Sequence, residues 1–589
     1  MFSYRMNRRK LIWILGIAGL VSLPFLVSNR GVDPTDTAYM LWGYQNAIKS
    51  ASSAPVNRVL SIWLSMLPLM PMHVGQWLAI RLLGAVVCGG MAIFSALSLS
   101  RLFPLKTQLP FLLVAVLIAG QFPTVIGYNT LSYLFFAAEI YLLLSALKND
   151  TTHPLVVCGV LLGTGIFVRL PNLYHFALAA IIIWKSGMCD GQWKKALRQM
   201  IFILLPAFIA ALVFALLCVL IFGHKQMISE FNRTVFKVFA QPTGEQMTYS
   251  LLGTVQNFLS GLINAYKTWM TIIPMVVLAG QALLLLKFHR RMPPTVVWVV
   301  NAISVIVVVL LGYAVAQPII YPYSYPTIYY SALVGGFCIL ACLIALLVYR
   351  KRNPTLSTVA AIALVILFVS PFGTNTLFMA YTNYWHFTLP ATAGLVYNLW
   401  SDFFKWKSHA ANTKYKTPKL ITNLLPLALF GVCFAQSMVP AAWHPYFESS
   451  YNKLNTPIKG IPILAGMNTT PESARLYETY AQVLEPYADY TLINMGAFAI
   501  GPLITGMKPA LEHSFPSLQT FSDVVFVERL DLLGDANVLP VISFTDYLHS
   551  GHYYDEGDRK TQALLLFIQK HDYRILYSDE SLLIYVPPV

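Results

Sequence analysis

The chain has 589 residues, 57% of them hydrophobic and only 11% charged, where a soluble domain carries about one quarter; this excludes an ordinary soluble protein and points to repeated bilayer crossings. The net charge of +15 is uneven: residues 1–439 hold 31 Lys/Arg against 8 Asp/Glu, and residues 440–589 hold 9 against 17. A basic membrane part (1–439) joined to an acidic, water-soluble part (440–589) accounts for the sign, with a lipid bilayer and no nucleic acid as the partner.

The N-terminus "MFSYRMNRRKLIWILGIAGLVSLPFLVSN" has a basic start and an apolar core but no A-x-A-like cleavage site, so it reads as an uncleaved first span. Apolar runs near 11–27, 76–98, 109–125, 128–147, 155–169, 172–185, 200–222, 268–287, 294–316, 327–349, 356–372, 384–400 and 420–439 predict about thirteen spans. The pair 155–169 and 172–185 is short and reads as a hairpin around "RLPN". With the N-terminus inside, Lys and Arg collect in alternate loops: Arg5/Arg8/Arg9/Lys10, Arg101/Lys106, Lys185/Lys194/Lys195/Arg198, Lys287/Arg290/Arg291, Arg350/Lys351/Arg352 and Lys405/Lys407/Lys414/Lys416/Lys419. That alternation places the first loop and the acidic tail outside.

Two of the outer segments are long. Within 28–75, "VLSIWLSMLPLMPM" is too short and proline-broken to span, so it is expected at the interface, and 223–267 reads as another surface helix. After Pro440 the composition turns globular. "PESARLYETYAQVL" and "RKTQALLLFIQKHD" predict helices; "TLINMG", "DVVFVERL", "RILYS" and "LLIYVP" predict strands. The expected fold is mainly α: a polytopic transmembrane helical bundle, interfacial helices in its outer loops, and a small C-terminal α/β outer domain.

Of the seven cysteines, six lie in or beside apolar runs, one (Cys189) lies in a basic loop, and the tail has none, so no disulfide framework or zinc site is available there. No Walker loop, Rossmann fingerprint or H-E-x-x-H motif is present.

Eight acids in the membrane part are few enough to sort one by one. Asp150, Asp190 and Asp402 fall in inner loops beside basic residues, and Glu230 and Glu245 in the second long outer loop. Glu139 lies midway through a span, where an acid is a functional candidate; its alternative is a buried ion pair with Arg81 or Arg169. Asp33 and Asp36 remain, in "GVDPTDTAYMLWGYQ" (31–45). "DPTD" suits helix capping, with Asp33 at the N-cap, Pro34 first in the helix and Asp36 third. A cap uses one acid and leaves the other fixed at a rigid helix start. The following residues set Met40, Leu41, Tyr44 and Ile48 along one face, as in an interfacial helix.

An inside-to-outside span followed at once by an Asp and a Tyr opening an amphipathic helix resembles the GT-C glycosyltransferases, which include the protein O-mannosyltransferases and the aminoarabinose lipid A transferases. "DTAY" matches at Asp36 and Tyr39, with Thr37 where that family commonly has Glu. "GTGIFVRLPNLYHF" (163–176) is similar to the family's G…R-x-P hairpin, with Arg169 near the outer surface, and "PFGTNTLFMAY" (371–381) fits an outward loop. The resemblance covers roughly residues 1–439. It implies an inverting transfer of a sugar from a polyprenyl-phosphate-linked donor to a glycan, lipid or protein acceptor, outside the membrane, with Asp36 or Asp33 as general base. A divalent metal (Mg or Mn) is conceivable in that family, though no metal ligand is assigned here, and a bacterial inner membrane with a periplasmic tail is the expected setting.

The leaving phosphate calls for a cation. Candidates are Arg169, Arg58, Lys49, His224 and Lys225, whose plainer uses are a hairpin contact, interfacial snorkelling, a solvated helix face and a polar loop. Substrate-lining candidates are Tyr39, Tyr44, Asn375 and Tyr323; the last lies in "QPIIYPYSYPTIYY", which also suits a membrane aromatic belt, and "YTNYWHF" (381–387) is placed near them. Competing readings are a transporter or flippase using Glu139 and Arg169 as buried switch charges, and an O-antigen ligase or polymerase. "HSGHYYDEGD" (549–558) gathers possible metal ligands but reads better as a polar loop before a helix.

Overall fold

The computed structural model describes residues 8–49, 58–72, 74–119, 124–229, 325–373, 377–411, 449–518, 521–534, 538–546, 554 and 557–588, with isolated positions between 230 and 303. Among the described residues, the α-helices of the membrane part longer than one turn are α1 (Arg8–Leu26), α2 (Asp36–Lys49), α3 (Val59–Met66), α4 (Gln76–Leu99), α5 (Leu105–Ala119), α6 (Tyr128–Asn149), α7 (His153–Gly165), α8 (Trp193–Phe222), α9 (Tyr325–Tyr349), α10 (Pro354–Val369) and α11 (Trp385–Ala411). Among the described residues, α4, α6 and α8 are long and apolar enough to cross a bilayer, and several shorter apolar helices accompany them. Thirteen spans are therefore not recovered as thirteen long helices. The segments expected at 268–287 and 420–439, and nearly all of 294–316, lie outside the described residues.

The hairpin expected at 155–185 takes a different form. α7 stops at Gly165, Arg169 is extended (φ −163°, ψ 129°), and Pro171 opens a 3-10 helix, Leu170–Leu178. A proline at the second position fits the new start but could not have continued α7. α3 is the short helix expected at the interface, and it is packed: Ile62 and Met66 are buried and Trp63 lies against Phe214 and Phe222 of α8.

The C-terminal part carries a five-stranded sheet built from β1 (Thr491–Gly496), β2 (Lys508–Pro509), β3 (Val541–Thr545), β4 (Arg574–Ser578) and β5 (Leu582–Val586), in the order β2-β1-β3-β5-β4. β1 pairs in parallel with β2 and β3, whereas β5 is antiparallel to β3 and β4. Its longer helices, among the described residues, are α12 (Pro471–Leu484), α13 (Asp523–Gly534) and α14 (Arg559–Lys570). α12 is capped by Thr470, which accepts from Ser473 N–H, and α14 by Asp558, which accepts from Thr561 N–H. Asp558 thus ends the polar "HSGHYYDEGD" stretch as a helix cap; most of that stretch lies outside the described residues.

"DVVFVERL", expected as a strand, is the helix α13. Its buried side chains are Phe526 and Leu530, one turn apart, while Val524, Val525 and Val527 are exposed. Inward residues at i and i+4 fit the helical repeat and not the two-residue alternation of a strand. β3, "VISFT", is a fully buried central strand that the sequence reading missed.

Alternation along the strands splits the sheet into two faces. Ile493, Met495, Ile542 and Phe544 pack with Phe526, Leu530, Leu564 and Phe567 from α13 and α14. Leu492, Val541, Leu582 and Ile584 join a different core, with Tyr477 and Tyr480 of α12 and with Ala38, Leu41, Ile62, Trp77 and Ile80 from α2, α3 and α4. The sheet therefore closes its second face with the start of the membrane part. Backbone contacts reinforce this: Gly31 N–H donates to Asn468 O (2.8 Å), Asn468 N–H to Asn29 O (2.8 Å), and Gly75 N–H to Pro462 O (2.9 Å). The boundary expected at 439/440 falls outside the described residues.

Candidate active site

α2 starts where its cap dictates. The Asp33 carboxylate is buried and accepts from Thr35 N–H (3.0 Å), Thr35 O–H (2.5 Å) and Thr37 N–H (2.9 Å). The carboxylate thereby satisfies two N–H groups at the helix start, those of Thr35 and Thr37, and is committed to the fold. Asp36 begins the helix proper with an exposed side chain. Although water reaches it, the protein around it and, secondarily, the Asp33 charge raise its pKa from 3.8 to about 6. No cation pulls it back.

The helix repeat then defines two walls. At about 100° per residue, Tyr39 lies about 60° to one side of Asp36, and Met40 and Tyr44 about 40–80° to the other. Met40 meets the turn before α6 so closely that a Cβ at Gly127 would overlap its Sδ, which explains a glycine there. Tyr44 is buried, and a hydrogen-bonded chain runs through it: Tyr128 N–H donates to Tyr44 Oη (3.1 Å), Tyr44 O–H to Ser61 Oγ (3.1 Å), and Ser61 O–H to Arg58 O (2.7 Å). Burial pushes its phenol up to about 12. Tyr44 was expected to line the substrate. With its hydroxyl committed in the core, it instead ties α2 to Arg58 and Tyr128.

That wall gathers two of the candidate cations. The guanidinium carbon of Arg58 stands 4.4 Å from the centre of the Tyr128 ring, and that of Arg169 stands 5.4 Å from it. A main-chain bond from Leu60 N–H to Phe167 O (3.0 Å) brings the start of α3 against the turn that presents Arg169. Cation–π contact lets two like charges converge on one ring.

On the other wall the Tyr39 ring lies 5.1 Å from that of His513, carried by the C-terminal part. Tyr128 and His513 both escaped the sequence reading. The only local hint for Tyr128 was the glycine before it, and nothing in the sequence pairs residue 39 with residue 513.

The other candidates are not brought to this place. His224 and Lys225 are exposed beyond the end of α8 and touch neither arginine among the described residues. Lys49 ends α2, and its side chain lies outside the described residues, as do Asn375 and Tyr323. "YTNYWHF" is buried: Tyr384 packs on Tyr133 (5.0 Å) and Phe136 (5.4 Å), and its hydroxyl meets that of Tyr174.

Glu139 has a partner other than the two expected. Its Oε2 lies 2.9 Å from Nδ1 of His175, both side chains wholly buried, and the His175 ring stacks on Phe136 at 4.2 Å. The approach is close but off the line of a good hydrogen bond. Arg81 instead donates to the carbonyls of Val27, Ser28 and Arg30 and so closes the end of α1.

A divalent metal does not fit the residues present. Asp33 has its oxygens occupied by N–H and O–H donors, Thr37 is neutral, and one carboxylate remains. Among the described residues no group of three His, Cys, Asp or Glu could hold a metal ion.

No protein-family model matches the sequence, and no curated protein does. Among solved structures the chain is similar to ArnT from Cupriavidus metallidurans in the apo state, at 11% identity and a TM-score of 0.43, over 98% of this chain and 100% of that one.

Proposed function

We propose that the protein is a membrane glycosyltransferase of the GT-C type. It moves a sugar from a polyprenyl-phosphate-linked donor to a glycan, lipid or protein acceptor on the extracytoplasmic side of a bacterial inner membrane. One observation carries this: Asp33 takes the capping role, Asp36 is left with a raised pKa, and two arginines converge on Tyr128, whose N–H donates to Tyr44 two turns further along the same helix.

The chemistry is a single displacement. The acceptor O–H attacks the anomeric carbon as Asp36 takes its proton. The bond from that carbon to the phosphate oxygen breaks on the far side, the polyprenyl phosphate leaves with the electron pair, and the configuration inverts. A carboxylate with a pKa of about 6 is ionised at neutral pH yet more basic than an ordinary one, which suits general-base work. Arg58 and Arg169 face the charge that gathers on the leaving phosphate.

The test is incorporation of label from farnesyl phosphate hexosides and pentosides, labelled in the sugar, by membranes holding the protein. Transfer that requires Asp36 and whose donor KM rises in Arg58→Ala and Arg169→Ala supports the reading. Transfer that survives Asp36→Asn in well-expressed protein overturns it. A reporter fused after α1 that lies in the cytosol would overturn the orientation.

A further inference from the structure

His513 is held where it is by several unrelated contacts. Glu512, just before it, adopts the left-handed region at φ 52°, a strained backbone for a residue with a side chain. Residues 511–518 are fastened by two cations: buried Lys560 donates to Pro516 O (3.1 Å) and Leu518 O (3.0 Å), and Arg529 donates to Leu511 O. Phe521 stacks on the His513 ring at 4.4 Å and 20°, so Phe521, His513 and Tyr39 form a three-ring ladder from the C-terminal part to α2.

The imidazole has a defined tautomer. Its Nδ1 accepts from Phe515 N–H at 3.2 Å, so the neutral ring carries its proton on Nε2. Burial lowers its pKa to about 4, and the Arg529 and Lys560 charges act in the same direction, so it is neutral at pH 7. Both cations are already engaged, Arg529 with Leu511 O and, at 3.4 Å, with Glu512, and Lys560 with two carbonyls. This wall therefore offers one neutral N–H donor among aromatic edges.

An in-line displacement puts the acceptor on the side of the anomeric carbon opposite the phosphate, hence on the side of Asp36 away from Arg58 and Arg169. We infer that His513 Nε2–H donates a hydrogen bond to the acceptor beside Asp36, and that the group it orients is an uncharged sugar hydroxyl, making the acceptor a saccharide. This rests on the glycosyltransferase reading. A neutral donor with aromatic neighbours suits a polyol, where an anionic acceptor would call for a free cation.

The test uses full-length protein in nanodiscs, the labelled farnesyl phosphate sugars as donors, and two acceptor probes, octyl glycosides and phosphatidylglycerol. Donor hydrolysis to free sugar is followed in parallel, since it needs no acceptor and reports on the Asp36 site alone. His513→Phe keeps the ring ladder and removes the donor, whereas His513→Gln returns an N–H near the Nε2 position. The expected result is a rise of about tenfold in the KM for octyl glycosides in His513→Phe, with donor KM unchanged, and a value within about threefold of wild type in His513→Gln. An unchanged acceptor KM in His513→Phe overturns the inference. So does an equal loss in both variants with hydrolysis falling in step, which would mean a purely structural contact, or wild-type transfer confined to phosphatidylglycerol. Absence of both hydrolysis and transfer in the wild type removes the glycosyltransferase reading, and this inference with it.

Discussion

Two acids stand at opposite extremes in this molecule. Glu139, midway along α6, is wholly buried with His175 against it, while Asp36, at the start of α2, is exposed, with Asp33 as the charged neighbour that shifts it. A sequence reading rates the intramembrane acid as the more suspicious of the two. The contacts reverse that ranking. Glu139 is consumed in holding the Arg169 turn against α6, since His175 sits in the 3-10 helix that Arg169 opens. Asp36 is left over after Asp33 has done the capping, and a group left over at a rigid helix start is the one available for chemistry.

The sharpest way to break the comparison is to neutralise each acid in turn. Asp36→Asn should lower transfer by about 10²–10⁴, the usual worth of a general base, with donor binding retained. Glu139→Gln, isosteric and still able to hydrogen-bond, should leave turnover within about tenfold of wild type in folded protein. A transfer assay on both variants at matched expression decides it; equal losses would place Glu139 in the machinery too.

Next in size is stability. Glu139→Ala removes the carboxylate packed 2.9 Å from a buried imidazole, and the loss of that polar contact and of its packing should cost about 1–3 kcal/mol. Glu139→Gln should cost clearly less. Thermal unfolding in detergent reads both, and an Asp36 variant should show no such loss.

How far the contrast was legible follows from the range of the interactions. The Asp33 bonds were readable because capping is local and "DPTD" encodes them within four residues, although the helix itself starts at Asp36 and not at Pro34 as expected. The α/β character of the tail was readable for the same reason, through Thr470 and Asp558 as caps and "TLINMG" as a strand. What failed was non-local or ambiguous. "DVVFVERL" is rich in β-branched residues, and only the burial of Phe526 and Leu530 against the sheet selects the helix. "VISFT" is a five-residue apolar run with no alternation to announce it. His175 for Glu139, Tyr128 for the two arginines and His513 for Tyr39 are partners chosen by tertiary folding. Residue types could nominate Asp36, Arg58 and Arg169, but not the ring that gathers the arginines.

A smaller effect sharpens the role of Asp36. A base must be ionised, and a pKa of about 6 means that kcat/KM should be flat above pH 7 and fall about tenfold per pH unit well below 6. A profile that bends near pH 4 instead would mean that the enclosure around Asp36 does not act on it.

Below that comes the cap. Asp33→Ala unties Thr35 and Thr37 and should cost about 1 kcal/mol of stability, up to about 2 because the site is buried. Activity should fall too, through misplacement of Asp36, and Asp33→Ser should recover part of both. Full recovery of activity without recovery of stability would separate the cap from the base.

The smallest effect concerns the cost of keeping Asp36 ionised. Its pKa is higher in the folded chain than the ordinary 3.8, so the fold prefers the protonated form. Above about pH 6 the side chain is charged both folded and unfolded, and the fold bears the whole cost. Below 3.8 it is protonated in both states and the cost disappears. Asp36→Asn should therefore melt above wild type at pH 8 and together with it at pH 4. The N-terminal end of α2 favours a negative charge and works against this difference, and solvent reaches the side chain, so the gain is small. A lower melting temperature for Asp36→Asn at pH 8 would mean that the carboxylate stabilises α2, and that both acids, not Asp33 alone, belong to the cap.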